Sequence, residues 1–169
     1  MTSGYQPLGG VMVGDRVGNV LVEKGGEFYH GFTYSGHPVA CAVARATLQV
    51  LRTEKLVDRV REAVIPAFSS RLQKLADHPL VGEVRSVGLM GALELVPHKA
   101  SRQRFAKELK AGERCRDFCI EQGLVMRAVG DTMIIAPPFI TTEAQLDELV
   151  GKAWKALDLT QRALGQSRA

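Results

Sequence analysis

Val84-Arg-Ser-Val87, Gly88-Leu89 and Met90-Gly-Ala-Leu-Glu-Leu-Val96 decide the fold. Two short runs rich in Val and Leu flank a tight turn that starts with glycine, which is the pattern of an antiparallel hairpin. The format returns downstream: Leu124-Val-Met-Arg-Ala-Val129 and Thr132-Met-Ile-Ile-Ala136 are joined by Gly130-Asp131, and Pro137-Pro138 ends the second run. A helix from about Glu108 to Gln122 separates the hairpins, with Gly123 placed to stop it.

Helical patterns flank the hairpins. Val57, Val60, Val64, Phe68, Leu72 and Leu75 recur at three- and four-residue spacing and predict a long amphipathic helix from about Glu54. Pro66 should kink or split it, because proline lacks an N–H and crowds the preceding turn. Near the end, Thr142 and Gln145 have the spacing of a capping box. The stripe Leu146, Leu149, Val150, Ala153 and Leu157 follows, bordered by Trp154, and the polar tail after Thr160 is expected to fray. Hairpins with helices before, between and after them predict an α+β unit, a small antiparallel sheet covered by helices on one face.

The first forty or so residues do not complete that unit. Gly10 to Val13 reads as a short apolar strand, and Asp15 as the cap of a helix of about ten residues ended by Gly25-Gly26. Phe28 to His37 has no clean period and reads as an ordered loop. Pro38 suits the first turn of a helix with Val39, Val43, Ala46 and Val50 on one face. A lone strand, helix and loop look like the edge of something larger.

Composition narrows the function classes. Of 169 residues, 46 % are apolar and 24 % charged, which suits a globular protein of one domain or one domain plus an appended piece. No apolar run reaches membrane-span length and no leader pattern precedes the chain, so a cytoplasmic location without membrane contact is expected. The net charge of +4 comes from basic residues scattered among acids, as in Arg59-Val-Arg-Glu62, and predicts no nucleic-acid partner. Cys41, Cys115 and Cys119 are an odd count without a secretion signal, which argues against a disulfide framework. Cys115 and Cys119 share a helix face but lack neighbouring ligands, so they read as core residues and no metal site is expected.

Two places carry candidate chemistry. Gly31-Phe-Thr-Tyr-Ser-Gly-His-Pro38 leads into a helix N-terminus, where free N–H groups and the hydroxyls of Thr33 and Ser35 favour an anion such as phosphate; plain capping by either hydroxyl is the alternative. Arg127 interrupts an apolar strand and would suit a substrate carboxylate; the alternative is an edge arginine reaching solvent or pairing with Glu94 or Asp131. His30 and His37 flank the loop without a nucleophile and orienting carboxylate, so they read as loop hydrogen-bonders. His78 and His98 read as surface turn residues, and Tyr5 as a pocket-lining or packing residue.

In Thr2-Ser-Gly-Tyr5 with Pro7-Leu-Gly-Gly10, and in His30-Gly-Phe-Thr-Tyr-Ser-Gly-His-Pro-Val-Ala40, the chain resembles the class III aminotransferases. The resemblance continues through His78-Pro-Leu-Val-Gly-Glu-Val-Arg85, Gly88-Leu-Met-Gly-Ala-Leu-Glu-Leu95 and Leu124-Val-Met-Arg-Ala-Val-Gly-Asp-Thr-Met-Ile-Ile-Ala-Pro-Pro138, and ends near Leu157-Asp-Leu-Thr160. It is closest in character to the ω-amine, β-alanine or putrescine to pyruvate branch. It implies a fold type I enzyme, dependent on pyridoxal 5′-phosphate (PLP), that works as a homodimer on an amine donor and a keto acid. By resemblance Thr33 reaches across the dimer to the cofactor phosphate, Phe32 and Tyr34 lie at that interface, Tyr5 lies in the substrate pocket and Arg127 grips the substrate carboxylate. The family's Schiff-base lysine would fall just ahead of Met1. The expectation is therefore a C-terminal portion of such an enzyme with no catalytic lysine of its own, holding no productive PLP by itself and inactive alone. Residues 1–45 would be the edge of the large domain, 46–165 the small domain and 166–169 a frayed tail. A non-catalytic small-domain module acting in binding or subunit interaction is the alternative.

Overall fold

The computed structural model describes residues 1–100 and 103–166. The chain divides into two compact units, Met1–Leu56 and Val57–Ala169.

The first unit holds helix α1 (Asp15–Lys24) and helix α2 (Pro38–Thr53). Gly14 is the N-cap of α1 and Asp15 lies in its first turn, where the carboxylate favours the helix dipole without capping by its side chain. Gly25 closes α1 through its N–H to the Leu21 carbonyl, 3.1 Å away. The strand expected at Gly10 to Val13 does not form: Val11 and Met12 are exposed and the segment pairs with no described strand. Apolar composition alone cannot make a strand, because its N–H and C=O groups need a ladder partner.

The second unit is the expected α+β layer pair. Four strands, β1 (Val81–Val87), β2 (Met90–Leu95), β3 (Arg127–Val129) and β4 (Thr132–Ile135), form an antiparallel sheet in the order β1-β2-β4-β3. Cross-strand partners share a face, so the register sorts the side chains. Val84, Leu93, Met133 and Ala128 form one row, with Leu93 and Met133 fully buried. Arg85, Ala92, Ile134 and Arg127 form the adjacent row on the opposite face.

Among the described residues of this unit, helices cover only the first of these faces. Helix α3 (Leu56–Arg59) runs through a π turn (Val60–Val64) into α4 (Ile65–Gln73) and a 3₁₀ turn (Lys74–Asp77). Helix α5 (Ala111–Glu121) packs on β3 and β4, and α6 (Glu143–Gln166) packs on α4 and α5. The α-helix is interrupted just ahead of Pro66, as expected: α3 gives way to the π turn, and Pro66 stands in the first turn of α4. In the π turn just before it, the Ile65 N–H bonds the Val60 carbonyl, and this wider turn accommodates the residue that lacks a donor. Val60, Val64, Phe68, Leu72 and Leu75 are buried as the stripe predicts; Val57 is not, and Leu56 is buried instead.

Two helix ends differ from the sequence reading for identifiable reasons. Helix α5 begins at Ala111 rather than Glu108, after a 3₁₀ turn (Lys107–Leu109) and a left-handed Lys110. At its other end Gly123, at φ +70°, donates to the Ile120 carbonyl (2.9 Å) and Leu124 donates to the Cys119 carbonyl (2.9 Å). These bonds are a Schellman closure. It takes the Leu124 N–H out of any ladder, so β3 starts at Arg127 rather than Leu124. The Thr142–Gln145 capping box is present: the Thr142 N–H donates to the Gln145 side chain at 2.9 Å and the Gln145 N–H returns to the Thr142 hydroxyl at 3.3 Å. Helix α6 does not end near Thr160, because Thr160 and Leu164 are buried and extend its packed face to Gln166. Of the tail expected to fray, 167–169 lie outside the described residues.

His78 is fully buried, not a surface turn residue. Its Nδ1 accepts the Leu80 N–H at 3.1 Å, its Nε2 lies 3.3 Å from Asp158, and Trp154 meets its ring edge-on at 5.1 Å. Burial depresses the imidazole pKa against the opposing pull of Asp158. The unfolded chain therefore binds this proton more readily, near pH about 6.5. Stability should hold above that pH and fall below it. Urea midpoints measured between pH 7.5 and 5.5 should show this loss, and His78→Gln should flatten the slope. A second test concerns Gly112, where an added Cβ would lie 2.0 Å from the Gly130 carbonyl oxygen. Gly112→Ala should cost about 1–3 kcal/mol in denaturant unfolding, the scale of overpacking.

Candidate functional site

Tyr5, Phe32 and Thr33 lie in the first unit and Arg127 in the second. The turn at Thr2–Tyr5 is held by the Tyr5 N–H on the Thr2 carbonyl (3.1 Å) and by the buried Thr2 hydroxyl on the Gln6 carbonyl (2.6 Å). Gly4 takes φ +80° there, and the Tyr5 ring is left in solvent.

In the loop ahead of α2, the Ser35 hydroxyl accepts the Phe32 N–H at 3.0 Å while the Ser35 N–H returns to the Phe32 carbonyl at 2.9 Å. The helix is capped by His37, whose Nδ1 accepts the Ala40 N–H at 3.4 Å. Neither Ser35 nor Thr33 caps it, so the capping alternative is overturned. Ser35 is occupied inside its own turn. Thr33 is exposed, and its hydroxyl has no hydrogen bond among the described residues. Phe32 and Tyr34 are exposed beside it, and His30 stacks edge-on between Phe28 (5.8 Å) and Phe32 (5.5 Å). His30 is a ring partner in this loop, and His37 is a cap. The loop thus presents the unbonded Thr33 hydroxyl beside unburied aromatics, which suits a phosphate oxygen with an apolar surface next to it.

Arg127 stands on the uncovered sheet face. Both acids that could have paired with it are engaged elsewhere. Glu94 Oε2 accepts from the Thr132 hydroxyl at 2.8 Å and from Arg85 at 3.3 Å, while Asp131 accepts the Gly112 N–H at 3.2 Å. Arg85 also approaches Glu83 at 3.6 Å. The Arg127 side chain is exposed and has no hydrogen bond or ion pair among the described residues. Pairing with Glu94 or Asp131 is thereby excluded, while the other half of the alternative matches the structure: Arg127 lies on the edge strand β3 and reaches solvent. Sequence reasoning did not single out Arg85 and Thr132, which share this face; the strand register puts Arg85 in the Arg127 row at the far edge, across β2 and β4, and Thr132 in the adjacent row on β4.

Two hollows flank this region. One, about 320 Å³, lies on the uncovered face between Arg85, Met90, Ala92, Thr132 and Ile134. The other, about 650 Å³, opens between the diverging ends of β3 and β4 over α6, with Leu124, Val125, Ile135, Pro138 and Ile140 among its walls, and holds none of the predicted site residues. Cys115 and Cys119 are buried, and the described residues contain no cluster of metal-ligating side chains. No described helix is long and apolar enough to cross a membrane.

The family model for aminotransferase class-III matches residues 1–157. The chain belongs to the class III aminotransferase family. It is 54 % identical over 164 residues to a putrescine–pyruvate aminotransferase of Pseudomonas aeruginosa, covering 97 % of this chain and 36 % of that protein. It is 37 % identical to the mitochondrial gamma aminobutyrate transaminase 1 of Solanum lycopersicum, covering 100 % of this chain and 33 % of the relative. Among solved structures, the PMP-bound form of an aminotransferase from Vibrio fluvialis superposes with a TM-score of 0.87 at 42 % identity, over 95 % of this chain and 36 % of that one. An (S)-enantioselective omega-transaminase from Thermomicrobium roseum superposes with a TM-score of 0.85 at 40 % identity, over 94 % and 35 % of the two chains. The chain therefore spans about a third of the length of these class III relatives. Its α+β unit is a part of the fold type I architecture, and the family's enzymes are PLP-dependent transaminases.

The loop gives a direct check on the two hydroxyls. Ser35→Ala should speed amide exchange at Phe32 by removing its acceptor, while Thr33→Ala should leave exchange and the unfolding midpoint unchanged within about 0.5 kcal/mol.

Proposed function

We propose that this chain is the C-terminal portion of a PLP-dependent aminotransferase that moves an amino group from an amine or ω-amino acid to a keto acid such as pyruvate. The observation that carries the reading is Arg127, an exposed cation with its neighbouring acids already engaged. A guanidinium in that state can close on a carboxylate with two parallel hydrogen bonds and hold it in one orientation. The similarity to a putrescine–pyruvate aminotransferase supports pyruvate as the acceptor.

On this reading the enzyme is a cytoplasmic homodimer. Residues 1–45 belong to the large domain and 46–165 form the small domain. Thr33 donates its free hydroxyl to the cofactor phosphate bound mainly by the other protomer. Phe32 lies against the same group, and with Tyr34 it keeps water from the subunit interface. Tyr5 borders the substrate. PLP, when bound, makes negative charge at the amino-bearing carbon tolerable, so that a proton can leave it. That proton transfer and the covalent anchoring of the cofactor need a lysine amine. The first lysine in this chain, Lys24, sits in the last turn of α1 and outside the Thr2-Ser-Gly-Tyr5 turn. The 169-residue chain alone is accordingly inactive.

The alternative, a non-catalytic module acting in binding or subunit interaction, draws on the same exposed aromatics at 28–34. Kinetics of the complete polypeptide separate the two. Arg127→Met should raise KM for pyruvate at least about tenfold, the scale of a lost hydrogen-bonded charge pair, and leave an amine donor without a carboxylate unaffected. Incubating the isolated chain with PLP and borohydride should give no lysine adduct and no transamination; a reducible adduct with turnover would overturn the predicted inactivity.

A further inference from the structure

The uncovered sheet face carries two cations and two anions, yet only one of the cations is left alone. Its rows run Glu83, Glu94, Thr132 and Val129, then Arg85, Ala92, Ile134 and Arg127. Glu94 and Arg127 are two strands apart and offset by one same-face step. Strand spacing and rise put their Cα atoms on the order of 12 Å apart. Extended arginine and glutamate side chains can bridge such a gap across β4, between Thr132, which pairs with Glu94, and Ile134, which pairs with Arg127. Opposite charges on one exposed face would be drawn together unless something holds them.

Two groups do. The Thr132 hydroxyl donates to Glu94 Oε2 at 2.8 Å, and Arg85 meets the same oxygen at 3.3 Å while its other terminal nitrogen lies 3.6 Å from Glu83. One guanidinium thus occupies both acids of the face. We propose that Arg85 and Thr132 are positioning residues that keep Glu94 turned away from Arg127, leaving Arg127 free for the substrate carboxylate. The inference rests on the reading of Arg127 as the carboxylate-binding group. It adds a competition: the acid of the same sheet face and the acid of the substrate contend for one cation, and Arg85 decides the contest in the substrate's favour.

The test has two arms. In the 169-residue chain, Arg85→Met should release Glu94, and the Arg127 Nε–H signal in side-chain NMR should shift as the new pair forms. Arg85→Met with Glu94→Gln should return that signal to its original position. In the complete polypeptide, Arg85→Met should raise KM for pyruvate about two- to fivefold, the scale of an exposed ion pair, with kcat and the KM for putrescine unchanged. Adding Glu94→Gln should restore the pyruvate KM, and Thr132→Val should give a smaller rise of the same kind. An Arg127 signal that does not move overturns the proposal. So does a pyruvate KM that stays constant, a rise that Glu94→Gln fails to rescue, or an equal rise for putrescine. Arg127→Met separates the two levels: if it leaves the pyruvate KM unchanged, the reading of Arg127 itself fails, whereas a large effect there beside a silent Arg85→Met removes only the competition.

Discussion

The approach of α4 to β2 at Gly91 sets the geometry of the second unit. A Cβ at Gly91 would stand 2.5 Å from a Leu72 methyl and 2.9 Å from the Phe68 ring tip, so both side chains occupy space that any other residue would fill. Interiors are close-packed, and a helix seated this deeply on a sheet fixes which face is covered. Gly112 makes a second such contact, where the start of α5 meets the Gly130 carbonyl and its N–H bonds Asp131. With α4 and α5 placed by these contacts and α6 packed on both, every described helix of the unit lies on one side. The sheet is left with a buried face of Val84, Leu93 and Met133 and an uncovered one.

That asymmetry is what gives Arg127 its chemistry. A guanidinium on the helix side would meet Met133 and Leu93 and would have to find a buried counter-charge. On the uncovered side it is exposed, as the proposed grip on a substrate carboxylate requires. The neighbouring acids are held by Arg85, Thr132 and the Gly112 N–H, so the face carries two positive and two negative side chains but one unengaged cation. In the first unit the loop before α2 shows the same division of labour: Ser35 and His37 satisfy the backbone, and Thr33 is left over.

The parts of this architecture set by local periodicity were readable in advance. The four-residue stripe from Val60 to Leu72, both glycine turns and the Thr142–Gln145 box each depend on residues close in sequence, and each is present. What escaped depends on distant partners. Gly10 to Val13 has strand composition but no ladder partner, and Leu124 has strand composition but spends its N–H on the end of α5. His78 looked like a turn residue because its burial comes from Trp154 and Asp158, far along the chain. Arg127 and Thr33 were legible as candidates. Their freedom from local partners was not, since it depends on where Glu94, Asp131, Ser35 and His37 direct their own hydrogen bonds.

The most direct test of the account is a crystal structure of the complete aminotransferase polypeptide containing this chain, bound to an unreactive carboxylate analogue of the keto acid. The account predicts the analogue's carboxylate against the Arg127 guanidinium in a two-bond fork, with Glu94 still held by Arg85 and Thr132. A carboxylate bound elsewhere, with Arg127 in solvent or paired to Glu94, would contradict it.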